Sequence, residues 1–151
     1  MLNIRASGPQ DGERVVTIWR DAVDATHDFL LPGDREAIDL LVQDFLPKTP
    51  LWLAVDENDR AVGFMGLAGA HMEALFIDPA YRGIGVGRML VEYALRLHRV
   101  LSTDVNEQNG QAVGFYRHLG FVPIGRSATD GEGRPYPLIH MRLEKSPQNA
   151  L

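Results

Sequence analysis

Apolar residues spaced three or four positions apart dominate the first third of the chain. They recur in this way over residues 13–27, which predicts an amphipathic helix after a short strand at residues 2–5. A second helix is predicted to begin with Asp34 as its N-cap and to end at Pro47. The residues expected to face inward on this second helix are Ala37, Ile38, Leu41, Val42 and Phe45.

The hydrophobic spacing changes to two in the middle of the chain, which is typical of strands. Three strands of a meander are predicted at residues 51–55, 61–67 and 71–78. The remaining predicted segments are a helix at 86–98, a strand at 100–105, a helix at 109–120 and two strands at 121–126 and 136–143. The order is βααβββαβαββ, in which strand, helix and strand over residues 71–105 imply a parallel crossover. The sequence therefore predicts one α/β domain, with a mixed, mostly antiparallel sheet of about seven strands flanked by four helices.

Composition and charge exclude several classes of protein. The chain has 151 residues, the usual size of one domain, and we assign residues 1–145 to that domain and residues 146–151 to a short polar tail. No apolar run approaches the ~20 residues that span a bilayer, and the first ten residues lack a secretory signal, so a cytoplasmic protein without membrane association is expected. The net charge of −5 disfavours nucleic-acid binding. The absence of cysteine and the scattered histidine spacing predict no metal site.

The stretch YRGIGVGRML, residues 81–90, has glycines at alternate positions immediately around the start of a predicted helix. A helix N-terminus offers free N–H groups and a positive dipole end, and glycines let a ligand approach the backbone closely. Arg82 and Arg88 add positive charge on either side. The pattern fits a bound polyphosphate, although glycine-rich turns also join strands to helices where no ligand binds. It matches neither the P-loop nor the dinucleotide-binding glycine motif.

Two segments carry a resemblance to a known family. LFIDPAYRGIGVGRML resembles the acetyl-CoA-binding signature of the GNAT (Gcn5-related) N-acetyltransferase superfamily, through Arg82, Gly85 and Gly87. NGQAVGFYRHLGF resembles a second segment of the same family, through Asn109, Ala112, Phe115, Tyr116, Gly120 and Phe121. Further segments of the chain resemble a group of small, poorly characterised bacterial members of this family. The resemblance implies the GNAT fold and an acetyl-CoA-dependent N-acetyltransferase that transfers the acetyl group directly to a primary amine, with no metal.

The resemblance also implies roles for individual residues. In this family the backbone of the glycine-rich stretch holds the CoA pyrophosphate, and the edge of the third meander strand holds the pantetheine amides. That strand splays from the next parallel one, with the acetyl thioester in the gap. Tyr116 would lie near the sulfur and act as the acid that protonates the leaving thiolate. The implied CoA-binding residues are Leu75, Phe76, Ile77, Arg82, Gly83, Ile84, Gly85, Val86, Gly87, Arg88, Asn109 and Tyr116.

The base that deprotonates the acceptor amine has several candidates. Alternation along the strand places His71 and Glu73 on one face. Glu73, acting directly or through water, is the first choice, with His71 behind it, and a solvated strand residue is the alternative interpretation of either one. His27 is a third candidate, because the segment joining the first two helices borders the acceptor pocket in this family. The same argument makes Asp24 and Phe29 candidate acceptor-binding residues, and Asp21, Asp24 and Asp28 form an acidic strip that favours a cationic amine or is simply solvated. His98 and His118 are expected at the surface, and His140 is ambiguous.

Two other interpretations of the sequence stay open. A CoA-binding sensor or interaction module would keep the glycine-rich stretch and lack turnover, and an enzyme for a longer acyl-CoA would share the same motifs. The acceptor is a small-molecule or peptide amine, and the protein is expected to be a monomer or a homodimer.

Overall fold

A computed structural model describes residues 1–145 of the chain. The predicted tail at residues 146–151 lies outside the described residues. Seven strands and four helices are present among the described residues, in the predicted order. The strands are β1 (Asn3–Ala6), β2 (Trp52–Val55), β3 (Ala61–Ala68), β4 (His71–Ile77), β5 (Val100–Asn106), β6 (Val122–Ser127) and β7 (Leu138–Glu144). The helices are α1 (Gly12–Thr26), α2 (Pro32–Phe45), α3 (Val86–Leu97) and α4 (Gly110–Leu119).

The strands form one mixed sheet in the order β1-β2-β3-β4-β5-β7-β6. β4 and β5 run parallel, and α3 connects them, which confirms the predicted crossover. β2 is antiparallel to β1 and β3, and β7 is antiparallel to β5 and β6. The single α/β fold with a mixed, mostly antiparallel sheet is therefore confirmed. Among residues 1–145, the helices are too short or too polar to cross a bilayer.

Helix α2 departs from its prediction in two ways. It begins at Pro32, and Leu31 occupies the N-cap position, so the prediction of Asp34 as N-cap was wrong. Proline suits this first turn because it has no N–H to leave unpaired, and Asp34 lies in the same turn, where its carboxylate favours the helix dipole. Leu41 and Phe45 were also wrongly expected inside, since 45% and 51% of their surfaces are exposed.

Backbone packing divides the described chain into two compact units. The first unit comprises Met1–Gly66 and Ala74–Leu90. Its core joins the inner face of α1 to the strands β2 and β3 and to Val42 of α2. The largest buried side chains of this core are Ile18, Trp19, Leu53 and Phe64.

The second unit comprises Leu67–Glu73 and the described residues from Val91 onward. Its buried side chains come from the inner faces of β5 and β7 and from the helices α3 and α4. They include Met72, Val91, Leu101, Thr103, Val105, Tyr116 and Met141. Along β5 the buried residues are the odd-numbered ones, so the side chains of Ser102 and Asp104 lie on the opposite face of the strand.

Candidate active site

The segment that joins β4 to α3 is anchored at its start by Asp78. One oxygen of this carboxylate accepts a hydrogen bond from the backbone N–H of Ala80 at 3.0 Å, and the other accepts one from the Arg14 guanidinium at 2.6 Å. Burial raises the pKa of Asp78, but these two donors outweigh burial and lower it below its ordinary value. Asp78 is therefore a charged anchor that fixes the direction in which the chain leaves β4.

Residues 82–87, which we name the glycine loop, follow a single turn of 3₁₀ helix at Pro79–Tyr81. Gly83 and Gly85 have φ angles of +78° and +89°, which side chains rarely adopt. A Cβ atom added to either glycine would have no neighbour within 4 Å. The two glycines are thus required by the backbone conformation and not by crowding, and the space above the loop is open.

Helix α3 begins at Val86, and its first intrahelical bond runs from the N–H of Met89 to the carbonyl of Gly85, at 2.9 Å. The N–H groups of Val86, Gly87 and Arg88 precede that bond, in the first turn of the helix, where no intrahelical acceptor exists. Arg82 and Arg88 are exposed. The loop therefore has the donors and the charge that an anion requires, whereas the CoA contacts implied by the resemblance stay a prediction.

Gly63 of β3 lies against both ends of the segment that carries the glycine loop, and it was not among the predicted site residues. A Cβ atom at this position would lie 2.9 Å from Ile77, 3.0 Å from Val86 and 3.2 Å from the carbonyl of Phe76. The absence of a side chain on Gly63 lets the end of β4 and the start of α3 pack closely on β3. A glycine inside an otherwise apolar strand was the available signal for such a close approach.

The predicted pantetheine-binding residues Leu75–Ile77 are half-buried. Two of their side chains are used in packing, since the ring of Phe76 lies 5.5 Å from that of Phe64 and Ile77 packs against Gly63. For Phe76 and Ile77, contact with a ligand is therefore expected through the backbone, as the resemblance implies.

In the second unit, Tyr116 is buried with its hydroxyl group held by a neighbouring strand. Its ring makes edge contacts with Phe115 and Phe121, at 5.2 Å in both cases. The hydroxyl is hydrogen-bonded to Thr103, whose own hydroxyl donates to the carbonyl of Met72 at 2.8 Å. Burial raises the pKa of Tyr116 to about 12, against a smaller lowering by the Thr103 hydrogen bond. Tyr116 therefore stays protonated over the physiological range.

Both ends of α4 have local caps. The side-chain oxygen of Asn109 accepts a hydrogen bond from the N–H of Ala112 at 3.1 Å and so caps the N-terminus. Gly120 ends the helix with a φ of +105°, and the next N–H, that of Phe121, donates to the carbonyl of Tyr116 at 3.0 Å. The structure thus gives Asn109 a structural role, and its predicted contact with the pantetheine arm stays a prediction.

The two main candidate bases lie on one face of β4, as predicted, while Met72 between them is buried. Glu73 is exposed, and within the described residues it has no hydrogen-bond or ion-pair partner. His71 is half-buried; its Nδ1 lies 2.7 Å from the Ser102 hydroxyl and its Nε2 lies 3.4 Å from a carboxylate oxygen of Asp104. His71 is therefore part of a polar cluster, and Glu73 faces solvent.

The segment between α1 and α2 brings His27 and Phe29 together, with their ring centroids 5.2 Å apart. The hydroxyl of Thr26 donates to the carbonyl of Ala22, so it accepts the Nδ1–H of His27 at 2.7 Å. Burial lowers the pKa of His27, and the charge of Asp28 opposes this only in part. When His27 is neutral with its proton on Nδ1, its Nε2 has a free electron pair and can accept a proton.

Asp24 differs from its predicted role as part of a free acidic strip. Its two oxygens accept hydrogen bonds from the Arg35 guanidinium at 2.7 and 3.2 Å. The positive charge of Arg35, in α2, therefore offsets the negative charge of Asp24. A cationic acceptor would be attracted to Asp24 less strongly than to an unpaired carboxylate. Within residues 1–145, no group of three or more acidic, histidine or cysteine side chains is arranged to hold a metal ion.

The parallel pair β4–β5 in the mixed sheet and the glycine loop at the start of α3 are the features expected of the GNAT fold. Residues 47–123 match the family described as Acetyltransferase (GNAT) domain, and the chain belongs to this family. Its enzyme class is accordingly that of the N-acetyltransferases.

Individual relatives resemble the chain over nearly its whole length. It is 57% identical over 141 residues to the Peptidyl-lysine N-acetyltransferase YjaB of Salmonella typhimurium (strain LT2), which covers 93% of this chain and 97% of that protein. The protein of the same name from Escherichia coli (strain K12) is 55% identical, over 93% of this chain and 96% of that one. The solution structure of apo-form YjaB from Escherichia coli superimposes with a TM-score of 0.93 at 53% identity, covering 97% of this chain and 99% of that one.

Proposed function

We propose that this N-acetyltransferase uses acetyl-CoA and that its acceptor is the side-chain amine of a lysine in a protein or peptide. The observation that carries the proposal is the 57% identity, over 97% of its length, to a relative named as a peptidyl-lysine N-acetyltransferase. The aligned region extends over both compact units.

The glycine loop fits the diphosphate of CoA by its own chemistry. Gly83 and Gly85 have positive φ and open space above them, and the N–H groups in the first turn of α3 have no intrahelical acceptor. Arg82 and Arg88 are exposed cations on either side. When bound there, acetyl-CoA supplies the activated acyl group as a thioester.

The acceptor lysine must lose a proton before it can attack. Its ordinary pKa is about 10.4, so only about one amine in 2,500 is neutral at pH 7. A positioned base contributes on the order of a hundredfold or more. Glu73 and His71, on the same face of β4, are the side chains of the second unit that we assign to this step.

Tyr116 supplies the proton for the leaving thiolate. Its phenol is neutral because burial raises its pKa to about 12, and its hydroxyl is fixed by the hydrogen bond to Thr103. A buried acid that stays protonated at neutral pH can donate without first taking up a proton from solvent. The proposed acid thus comes from α4 and the candidate bases from β4, both in the second unit.

The proposal is tested by incubating the purified protein with acetyl-CoA and a peptide whose α-amine is blocked and which contains one lysine. We expect thiol release and the gain of one acetyl group on the lysine, and no reaction of the matched peptide with arginine at that position. Acetylation of small amines alone would contradict the peptide assignment. Tight acetyl-CoA binding without turnover on any amine would instead support a sensor, and faster reaction with propionyl-CoA would change the assigned acyl donor.

A further inference from the structure

Five polar side chains on four strands meet on one face of the second unit. In the parallel ladder, His71 of β4 pairs with Ser102 of β5; in the antiparallel ladder, Asp104 of β5 pairs with His140 of β7. Ser127, the last residue of β6, completes the set through its contact with His140. We name Ser102, His71, Asp104, His140 and Ser127 the relay.

The relay centres on the carboxylate of Asp104. One oxygen lies 2.6 Å from Nδ1 of His140, and the other lies 3.4 Å from Nε2 of His71. Each imidazole presents its second nitrogen to a serine hydroxyl, at 2.7 Å between His71 and Ser102 and at 2.6 Å between His140 and Ser127. Two serine–histidine pairs therefore converge on one carboxylate.

The chemistry of the groups fixes the direction of these hydrogen bonds. A carboxylate can only accept, so Nδ1 of His140 carries its proton and Nε2 accepts the hydroxyl proton of Ser127. Nε2 of His71 lies 3.4 Å from Asp104, which is longer than an ordinary hydrogen bond but within ion-pair range. We place the proton of His71 on Nε2, facing the carboxylate, and this leaves Nδ1 to accept from Ser102. With both imidazoles neutral, the relay has one negative charge and room for one more proton.

The relay is open to an incoming molecule. The side chains of His71, His140 and Asp104 are 35%, 33% and 37% exposed. The other charged groups on this face are Glu73 of β4 and Arg142 of β7, which pairs with Glu144 at 3.3 Å; Arg126 of β6 is paired with Glu107 at 2.8 Å. The relay therefore combines solvent access with a carboxylate whose charge no arginine or lysine neutralises among the described residues.

We propose that the relay takes up the proton that the acceptor ammonium loses before it attacks, an inference that rests on the proposed function. The ammonium gives a proton to Oγ of Ser102, whose own hydroxyl proton passes to Nδ1 of His71. The imidazolium so formed is held by the Asp104 carboxylate at Nε2, and the amine is left neutral. After the transfer, the extra proton returns to solvent through the exposed edge of the imidazole.

The two ends of the relay differ in role. Ser102 and His71 carry the proton, whereas His140 and Ser127 are positioning residues that hold Asp104 in place from the other side. The relay also lies on the face of β5 opposite Thr103 and Tyr116, since residues 102 and 104 alternate with residue 103. The proton donor and the proton acceptor are thereby separated by the strand itself.

The test compares two acceptors at neutral pH: the single-lysine peptide, and an O-alkylhydroxylamine, which is already uncharged. For Asp104→Asn we expect kcat/KM with the lysine peptide to fall about a hundredfold, with at most a twofold change for the neutral amine. The lysine defect should shrink as the pH rises, because free amine becomes abundant. Ser102→Ala should show the same selective loss, and Ser102→Thr, which keeps the hydroxyl, should restore activity.

Equal loss with both acceptors would assign Asp104 a structural role, and an unchanged rate with lysine would remove the relay from the reaction. A selective loss in Glu73→Gln but not in Asp104→Asn would assign the proton to Glu73 and overturn the proposal. If the wild-type protein acetylates a different protonated amine, such as a polyamine, the peptide assignment fails and the same comparison with that amine tests the relay. If it acetylates no protonated amine, both proposals fail.

A measurement on the protein alone guards against misfolded variants. Nitrogen-15 spectra of the histidine rings should show His140 protonated on Nδ1 and His71 protonated on Nε2 in the wild-type protein. Asp104→Asn should alter both rings while leaving the backbone spectrum of the first unit unchanged. The opposite tautomers in the wild-type protein would contradict the proton path.

Discussion

The hydroxyl of Tyr116 is hydrogen-bonded to the hydroxyl of Thr103, which in turn donates to the carbonyl of Met72 at 2.8 Å. A residue of α4 is thus oriented by the parallel pair β4–β5, where Met72 and Thr103 are directly paired.

Tyr116→Phe should lower kcat about a hundredfold and leave the affinity for acetyl-CoA nearly unchanged, because the ring packing survives and only the proton donor is lost. Thr103→Val should lower kcat less, by about tenfold, since the phenol remains but loses its orientation. Steady-state thiol release and calorimetry measure the two quantities. Thr103→Ser, which keeps the hydroxyl, is the matched control, and normal turnover in Tyr116→Phe would end its role as acid.

The titration of Tyr116 gives a second prediction. Burial raises its pKa to about 12, whereas a tyrosine in an unfolded chain titrates near pH 10. The difference in tyrosinate absorbance between the wild-type protein and Tyr116→Phe should therefore be absent at pH 10 and develop only toward pH 12. The folded state favours the neutral phenol, so the stability that this group contributes is complete below about pH 10 and is lost as the pH rises toward 12. A difference already present at pH 10 would contradict the burial of the phenol.

The sequence predicted the order of strands and helices because the hydrophobic spacing changed sharply between three-to-four and two, and because Pro47 and Gly120 fall at helix ends. It failed on the inner face of α2. There Arg35 and Asp39 form ion pairs with Asp24 and Arg20 of α1, while Leu41 and Phe45 lie at the surface. Apolar periodicity carries no information about such charged contacts.

The candidate site residues that lie in a sequence motif were selected from the sequence, whereas those that meet only through the fold were not. Gly83, Gly85 and Tyr116 stand in recognisable segments. Asp104 and His140 are 36 residues apart and meet only through the β5–β7 register, which no local pattern specifies. One signal was available: Thr103 is a polar residue at an inward position of an apolar strand, and such a residue usually has a specific partner.

Gly85 offers a test of the glycine loop with an internal control. Gly85→Ala should weaken CoA binding about tenfold or more, because a side chain would distort the φ of +89° and enter the space above the donors. Gly133 has a φ of +78° and equally open surroundings, but it lies in the loop between β6 and β7. Gly133→Ala carries the same backbone strain, about 1–2 kcal/mol, and changes no residue of the glycine loop. Calorimetry with CoA should separate the two variants, and equal affinities would remove the loop from the site.

Gly63 tests whether the packing beneath the loop matters for binding. A Cβ atom there would lie 2.9 Å from Ile77 and 3.0 Å from Val86, so Gly63→Ala should displace the end of β4 and the start of α3 and cost about 1–3 kcal/mol of stability. CoA affinity should fall as well, although residue 63 itself offers no contact with the anion. Gly66→Ala in the same strand is the control, since its nearest neighbour would be 3.3 Å away, at the end of the Leu51 side chain. A destabilised Gly63→Ala variant with full CoA affinity would show that the loop does not depend on this packing.

Asp39 joins α1 to α2 and should make the stability of the first unit sensitive to acid. Its carboxylate accepts hydrogen bonds from Arg20 of α1 at 2.9 and 3.0 Å, from Arg35 at 2.7 Å and from Gln43 at 2.6 Å. The Arg20 contact above all, with Gln43 and Arg35, outweighs burial and holds the pKa of Asp39 well below its ordinary value. A carboxyl whose pKa is lowered by folding stabilises the protein above its unfolded pKa of about 3.9, and this contribution disappears as the pH falls further.

Asp39→Asn should therefore cost about 2 kcal/mol near pH 7, measured by urea unfolding, and the cost should shrink steadily below pH 4. Asp44→Asn, which removes an exposed partner of Lys48 at 3.6 Å, should change stability by less than about 0.5 kcal/mol at either pH. A cost for Asp39→Asn that stayed constant down to pH 2 would mean that the carboxylate charge is not what holds the two helices together.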